Sequence, residues 1–286
     1  MILRAALLLL AAAAVSGCEG FAPKGAANTE ADRANPPQLP FDRQSLGEIM
    51  LSVGGPEEAV TYFRDALSQT PDDPALRRGY ARALARNHQF AESRLVWRGL
   101  DESGGMQATD RIDYALVLSR LQQWDEAEGQ LALLPPGVES GREALARALI
   151  ADQRGDWAAA DVAYARARTL SAQPATALNN WGVSLMARGD FAAAERRFEE
   201  ALTYEPGLFS AKNNLALTYG LQRRYRLPLV TLTAEERATL LHNLGVLALR
   251  QGDRDEARDL FEQSLATHPQ HFAPAADKLA ILEAAT

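Results

Sequence analysis

The sequence of 286 residues is poor in the groups that do chemistry: it has one cysteine, four histidines and three lysines, Lys24, Lys212 and Lys278. A lone cysteine excludes an intrachain disulfide, so the fold must hold by packing even in an oxidising compartment. His268 and His271 flank Pro269, and His88 stands beside Asn87; both read as exposed turns, not metal ligands. No Gly-x-Ser-x-Gly stretch occurs, and no glycine-rich loop follows a strand pattern to cradle a phosphate. The expectation is a protein without enzymatic activity, cofactor, metal or small-molecule substrate. The balance of 30 basic against 37 acidic residues leaves a net charge of -7, which repels nucleic-acid backbones and excludes them as a favoured partner. Long apolar runs are missing too. The one run, Ala5 to Val15, has 11 residues, well below the roughly 20 that span a bilayer as a helix. What remains, at 47% apolar and 23% charged, is enough to bury a sizeable core.

The short run lies behind Arg4 and ahead of Ser16-Gly17-Cys18. A positive charge, a brief apolar stretch and small residues before a cleavage point make an export signal over residues 1–17. Val15-Ser16-Gly17-Cys18 resembles the lipobox of bacterial lipoproteins, in which the cysteine becomes the first residue and carries acyl chains. That resemblance implies lipidation of Cys18 and a membrane anchor. Glu19 rather than Asp follows, which in that family leans toward the outer membrane. Residues 18–39 are small, polar and proline-containing, with no helical or strand period, and read as a disordered tether.

From residue 40 onward the chain repeats, with units starting near 40, 74, 108, 141, 175, 209 and 238, at spacings of 34, 34, 33, 34, 34 and 29. The unit from Ala175 shows the pattern: Leu178, Trp181, Gly182 and Leu185, then Gly189-Asp190, then Phe191, Ala194, Phe198 and Ala201, and a closing Pro206. Steps of three and four put these residues on one face of each of two helices. Small residues, Gly182 and Ala194, fall where the two helices must approach, and Trp181 reads as the main anchor. The same columns return with Gly47, Ala59 and Phe63, with Ala81, Ser93 and Trp97, and with Ala148, Ala160 and Tyr164. The unit from Phe209 departs: Pro228 stands where the small residue belongs, so residues 222–232 read as an irregular connection. Thr233 and Glu236 then form a capping box that restarts the helix. Phe272 to Ala285 reads as a terminal helix covering the last apolar face.

This pattern resembles the tetratricopeptide repeat. The resemblance implies an all-α solenoid, a right-handed superhelix of helical hairpins over residues 40–286 with a C-terminal capping helix. In that family the first helices line a concave groove that binds protein segments. The sixth position of three successive units is Asn180, Asn214 and Asn243, with Asn179, Asn213 and His242 beside them. Amides supply donor and acceptor without a charge to desolvate, so these six are the candidate groove residues, with Lys212 and Arg250 as cations for an acidic partner. The earlier units have Ser45, Gly79, Asp113 and Ala146 there, which confines any amide row to the C-terminal half. Arg223-Arg224-Tyr225-Arg226, at the irregular connection, is a second candidate contact.

One segment is more specific. Lipobox, tether and repeats, together with Tyr225-Arg-Leu-Pro-Leu-Val-Thr-Leu-Thr-Ala-Glu-Glu-Arg-Ala238 and Leu240-Leu-His-Asn-Leu-Gly-Val246, resemble the TadD lipoproteins of tight adherence (Flp) pilus assembly. For that family the resemblance implies an outer-membrane lipoprotein facing the periplasm, whose protein partner is the pilus secretin or another assembly component. A general envelope adaptor organising peptidoglycan enzymes would use the same groove on different clients.

Overall fold

A computed structural model of the chain describes residues 43–270 and 272–284. The export signal, Cys18 and the tether lie outside these residues, as does His271. Among the described residues there are fourteen helices and no strand. They fall into two compact units divided between Pro135 and Pro136.

The first unit holds α1 (Arg43–Ser52), α2 (Pro56–Gln69), α3 (Pro74–Arg86), α4 (Phe90–Glu102), α5 (Ala108–Arg120) and α6 (Trp124–Ala132). The second holds α7 (Gly141–Arg154), α8 (Trp157–Leu170), α9 (Ala175–Ala187), α10 (Phe191–Tyr204), α11 (Phe209–Leu221), α12 (Ala234–Arg250), α13 (Arg254–Thr267) and α14 (Ala273–Ala284). In each unit consecutive helices pair, and each second helix also packs on the first helix that follows it.

Local chemistry sets the ends. Pro56 and Pro74 open α2 and α3, where the missing N–H costs nothing. Asp73, Ser140, Asp156 and Asp190 accept from backbone N–H groups in the first turns of α3, α7, α8 and α10. The expected starts at 74, 108, 141, 175 and 209 are the observed ones. The last pair opens at Ala234, one turn ahead of its register mark at 238, as the Thr233–Glu236 capping box predicts: Thr233 Oγ1 accepts from Glu236 N at 3.1 Å, and Glu236 accepts from Thr233 N at 2.9 Å. From α3 onward the chain turns between the helices of a pair through a left-handed residue, glycine at Gly155, Gly189 and Gly252 but His88 and Gln122 in the other two, and Arg223 takes the same conformation after α11.

The core of each pair is a two-position lock. Every second helix places a small residue and, four positions on, a large one against its partner: Ala59 and Phe63, Ser93 and Trp97, Ala127 and Leu131, Ala160 and Tyr164, Ala194 and Phe198, Ala257 and Phe261, all buried. The two rings of the second unit's Phe column lie where a first helix has no side chain. A Cβ at Gly182 would stand 2.5 Å from the Phe198 ring, and one at Gly245 would stand 2.7 Å from Phe261. Where the small residue is Ser93, or where Ser264 follows later in α13, the hydroxyl donates to a backbone carbonyl of the paired helix, Ala81 and Ala238 respectively, at 2.7 Å.

Trp181, the anchor expected from the sequence, is only half-buried. Its indole N–H donates to Asp161 at 2.7 Å, its ring stacks on Tyr164, and the Arg197 guanidinium lies 4.0 Å above it. Arg188 donates to both oxygens of Asp161, at 3.0 and 2.7 Å, and this pairing holds the Asp161 carboxyl below the ordinary carboxylate range. Trp181 is therefore a polar and aromatic staple between α8 and α9, and Phe198 is the buried anchor.

The terminal helix α14 docks as expected, with Ala275 and Leu282 buried in the cluster that also holds Leu244 and Phe261. At its start His242 of α12 lies between Phe261 and Phe272, ring centroids 5.6 and 5.7 Å away, and His268 stacks on Phe272 at 4.9 Å. The His242 Nδ1 is buried without a hydrogen-bond partner among the described residues. Burial, reinforced by the charge of Lys278 on α14, lowers the His242 pKa below the ordinary histidine value.

Two expected outcomes follow. Phe198→Ala should cost about 3–5 kcal/mol in urea unfolding, the range for a large buried ring removed with little room to collapse; Trp181→Ala should cost less, since its ring keeps an exposed side, and the reverse ranking would refute the assignment of anchor and staple. A depressed histidine pKa means that the folded state resists protonation, so the associated stability is full above about pH 6.5 and is lost as pH falls through the folded value. His242→Phe should flatten that loss between pH 7.5 and 5 in thermal unfolding, and an unchanged pH profile would remove His242 as its source.

Candidate functional site

The candidate groove residues sit on α9, α11 and α12, the first helices of consecutive pairs in the second unit. The structure joins them diagonally instead of leaving them as a free row. Asn214 Nδ2 donates to Asn179 Oδ1 at 3.0 Å, and Asn243 Nδ2 donates to Asn213 Oδ1 at 2.8 Å. Asn179, Asn213 and Asn214 are buried, at 9%, 7% and 7% exposure. Their amides are committed first to each other, and they tie α9 to α11 and α11 to α12. Asn180 and Asn243 remain half-exposed, and the Asn180 side-chain amide makes no hydrogen bond to another described residue.

Lys212 does not face outward to meet an acidic partner. It is 4% exposed, and its ammonium sits 2.9 Å from both carboxylate oxygens of Glu236, the residue that also closes the Thr233 capping box. Such a buried pair holds only because both charges are satisfied. Arg250 stays exposed at the last turn of α12, where its charge also complements the helix dipole. His242 turns away from the amides, toward α13 and the start of α14, as described above.

These contacts have a common origin in α11. Every residue from Ala211 to Gly220 is buried, polar ones included. The helix lacks a second helix of its own, so α12 and the connection close over it instead. Leu240, Leu241 and Leu244 pack around Ala216, with Leu227 and Leu232 of the connection against the same cluster. A Cβ on Gly220 would stand 2.8 Å from Leu244 and Leu247, which shows how near α12 comes. Buried polar groups must be paired. Lys212, Asn213 and Asn214 are paired across to neighbouring helices, and Thr218 donates to Asn214 O at 2.7 Å.

The irregular connection over residues 222–232 is present where the sequence puts it. Its basic cluster, however, is spent largely within the chain. The Arg223 guanidinium holds the Asp253 carboxylate at 2.5 and 2.6 Å, and Arg224 pairs with Glu195. The Tyr225 hydroxyl donates to Asp253 and lies against the Gln251 amide oxygen. Burial, with the adjacent Asp253 carboxylate, pushes the Tyr225 phenol up to about 12, while the Tyr225 hydrogen bond and Arg223 hold Asp253 low. Arg226 is exposed, its guanidinium 4.5 Å above the Tyr219 ring. Register explains the clasp: Arg223 and Tyr225 stand 34 residues after Gly189 and Phe191 and keep the turn and the aromatic of an ordinary pair. Pro228, 34 after Ala194, is where the pattern ends.

The first unit solves the same joint with charge. Arg78 donates to Asp110 at 2.5 Å, and Arg82 reaches Asp110 at 3.2 Å and Asp113 at 2.6 Å, joining α3 to α5. Asp110 is fully buried and accepts from Gln107 N as well, at 2.9 Å. Sequence reasoning did not find this network. Its signal is a pair of arginines one helical turn apart, about 30 residues before two acids spaced likewise. Among the described residues no group of three or more His, Cys, Asp or Glu is placed to hold a metal.

Comparison with known proteins agrees with this architecture. One tetratricopeptide-repeat family model matches residues 46–103 and 179–226, and another matches residues 237–272. Tetratricopeptide repeat protein 21B of Mus musculus is 31% identical over 83 residues, and that of Xenopus laevis is 27% identical over 86. These stretches cover 29% and 30% of this chain but 6% of either relative. Among solved structures, a tetratricopeptide repeat protein from Parabacteroides merdae superposes with a TM-score of 0.51 at 15% identity, covering 83% of this chain and 96% of that one. The human IFIT1 dimer with PPP-AAAA gives 0.63 at 17% identity, covering 84% of this chain and 62% of that one. At these identities the likeness is one of fold. First helices in a register of 33 to 34 residues from α3 to α11, small-and-large locks in every pair and two matching repeat models together make the chain a tetratricopeptide-repeat protein.

Proposed function

We propose that this repeat protein is an exported scaffold, anchored in the outer membrane through lipid on Cys18 and facing the periplasm, that assists assembly of the Flp pilus secretin. Tetratricopeptide repeats are protein-interaction scaffolds, and the finer reading rests on three supports. The lipobox supplies the anchor, the 225–246 segment resembles the tight adherence lipoproteins, and the first helices of the second unit offer a polar, uncharged contact strip.

The observation that carries the binding role is the double amide tie, Asn179–Asn214 and Asn213–Asn243. It holds three first helices at fixed spacing before any client arrives, so no ordering cost falls on binding. Asn180 and Asn243 then offer unspent donors and acceptors, and Arg250 adds a charge for a client carboxylate. Asn214 lies beneath this strip and supports it.

The test uses the full-length protein in cells that make it. A photoreactive residue at Asn180 should trap the secretin, and deletion of the gene should abolish piliation with normal cell shape. Trapped peptidoglycan enzymes with altered shape would overturn the pilus assignment in favour of a general envelope adaptor. Cys18→Ser should move the protein from the membrane to the soluble fraction on fractionation, and a variant that stays with the membrane would refute the lipid anchor.

A further inference from the structure

The irregular connection does more than close over α11. Its base is pinned by Arg223 to Asp253, by Arg224 to Glu195, and by Leu227 and Leu232, half-buried against the core, with Pro228 buried. Directly after Pro228 the backbone makes a three-residue turn, Val230 N donating to Pro228 O at 2.9 Å. The centre of that turn is Leu229, which is 96% exposed. Single exposed leucines are ordinary on protein surfaces. This one differs because the turn that carries it is closed by its own hydrogen bond, follows the buried Pro228 and precedes Leu232, which packs against the core, so the side chain stands out from a supported turn and not from a loose loop.

A cation accompanies it. Arg226, three residues earlier, is exposed and lies over Tyr219, with no carboxylate among the described residues within ion-pair distance. Its neighbours Arg223 and Arg224 each have one. The chain as a whole is acidic, so an unmatched cation beside a raised leucine is a local exception with a complementary chemistry.

We propose that the tip of the connection is a second docking point, in which Leu229 enters an apolar pocket of a protein partner while Arg226 meets a carboxylate at the rim of that pocket. The inference rests on the scaffold reading but not on which client the first helices hold. A preset aliphatic knob next to one charge gives affinity through the knob and selects the partner through the charge. Of the candidate cluster at 223–226, Arg223, Arg224 and Tyr225 are, in this arrangement, the mounting, and Arg226 keeps the contact role.

The test places a photoreactive residue at Thr231, exposed and two positions from the knob, in the full chain in its native cells. One discrete adduct is expected, whose attachment peptide carries an Asp or Glu near the crosslinked position. Leu229→Ser and Arg226→Glu should each lower its yield about ten-fold or more, as loss of a hot-spot contact does. Val162→Ser, at a 70% exposed position on α8, should leave it unchanged. No adduct, an adduct to a second copy of the chain, or one indifferent to either substitution overturns the proposal. Both substituted side chains are exposed, so circular dichroism and melting temperature should not move; a loss of adduct that tracks a loss of fold also counts against it. Asn180 is probed in parallel. An adduct from Thr231 without a secretin adduct from Asn180 keeps the knob and removes the secretin assignment, and the converse removes the knob alone.

Discussion

The crossing of the two helices in each pair depends on one steric condition: the second helix brings a large side chain to a place where its partner must be nearly bare. Phe198 on Gly182 and Phe261 on Gly245 are the tightest cases in the second unit, with no space for even a methyl group. The small residue four positions earlier sets how near the backbones come, and the ring then fills the angle between them. Everything placed on the first helices inherits its position from this lock. Neither the amide ties nor the Arg–Asp network could form if the helices beneath them were free to slide.

The second unit shows what happens when one repeat loses half of itself. With no second helix, α11 would leave an apolar side open, and the chain answers by drawing α12 and the connection over it. The cost is that Lys212, Asn213, Asn214 and Thr218 are carried into the interior. That cost is offset only because each finds a partner: an acid, two amides and a carbonyl. The two units thus join first helices by different means, an Arg–Asp network in one and two amide ties beside a single buried Lys212–Glu236 pair in the other. Amides need less desolvation, which suits a helix enclosed on all sides.

Much of the architecture could be read from the sequence because spacing and side-chain size carry it. Gly182, Ala194 and Phe198 announce a close crossing, Gly189-Asp190 a turn and a cap, and Pro228 the end of the pattern. What could not be read is the partner of each polar residue. Asn180 and Asn214 occupy equivalent register positions, yet one is half-exposed and the other buried, because α11 alone is enclosed and α9 is not. Trp181 looked like a core anchor by volume, but its indole N–H needs an acceptor, and Asp161 holds it at the boundary of the core. The basic cluster at 223–226 looked like a surface feature because its counter-charges, Glu195 and Asp253, lie 28 to 30 positions away along the chain.

The enclosure of α11 also bears on how the second unit comes apart. A run of repeats with only nearest-neighbour contacts frays from its end one hairpin at a time. Here the step cannot be that small: lifting α12 opens the side of the buried α11 that it covers and leaves Lys212 and Asn213 without partners. Helices α11 to α13 are therefore coupled into one opening unit, larger than a repeat, and the surfaces they carry persist or vanish together.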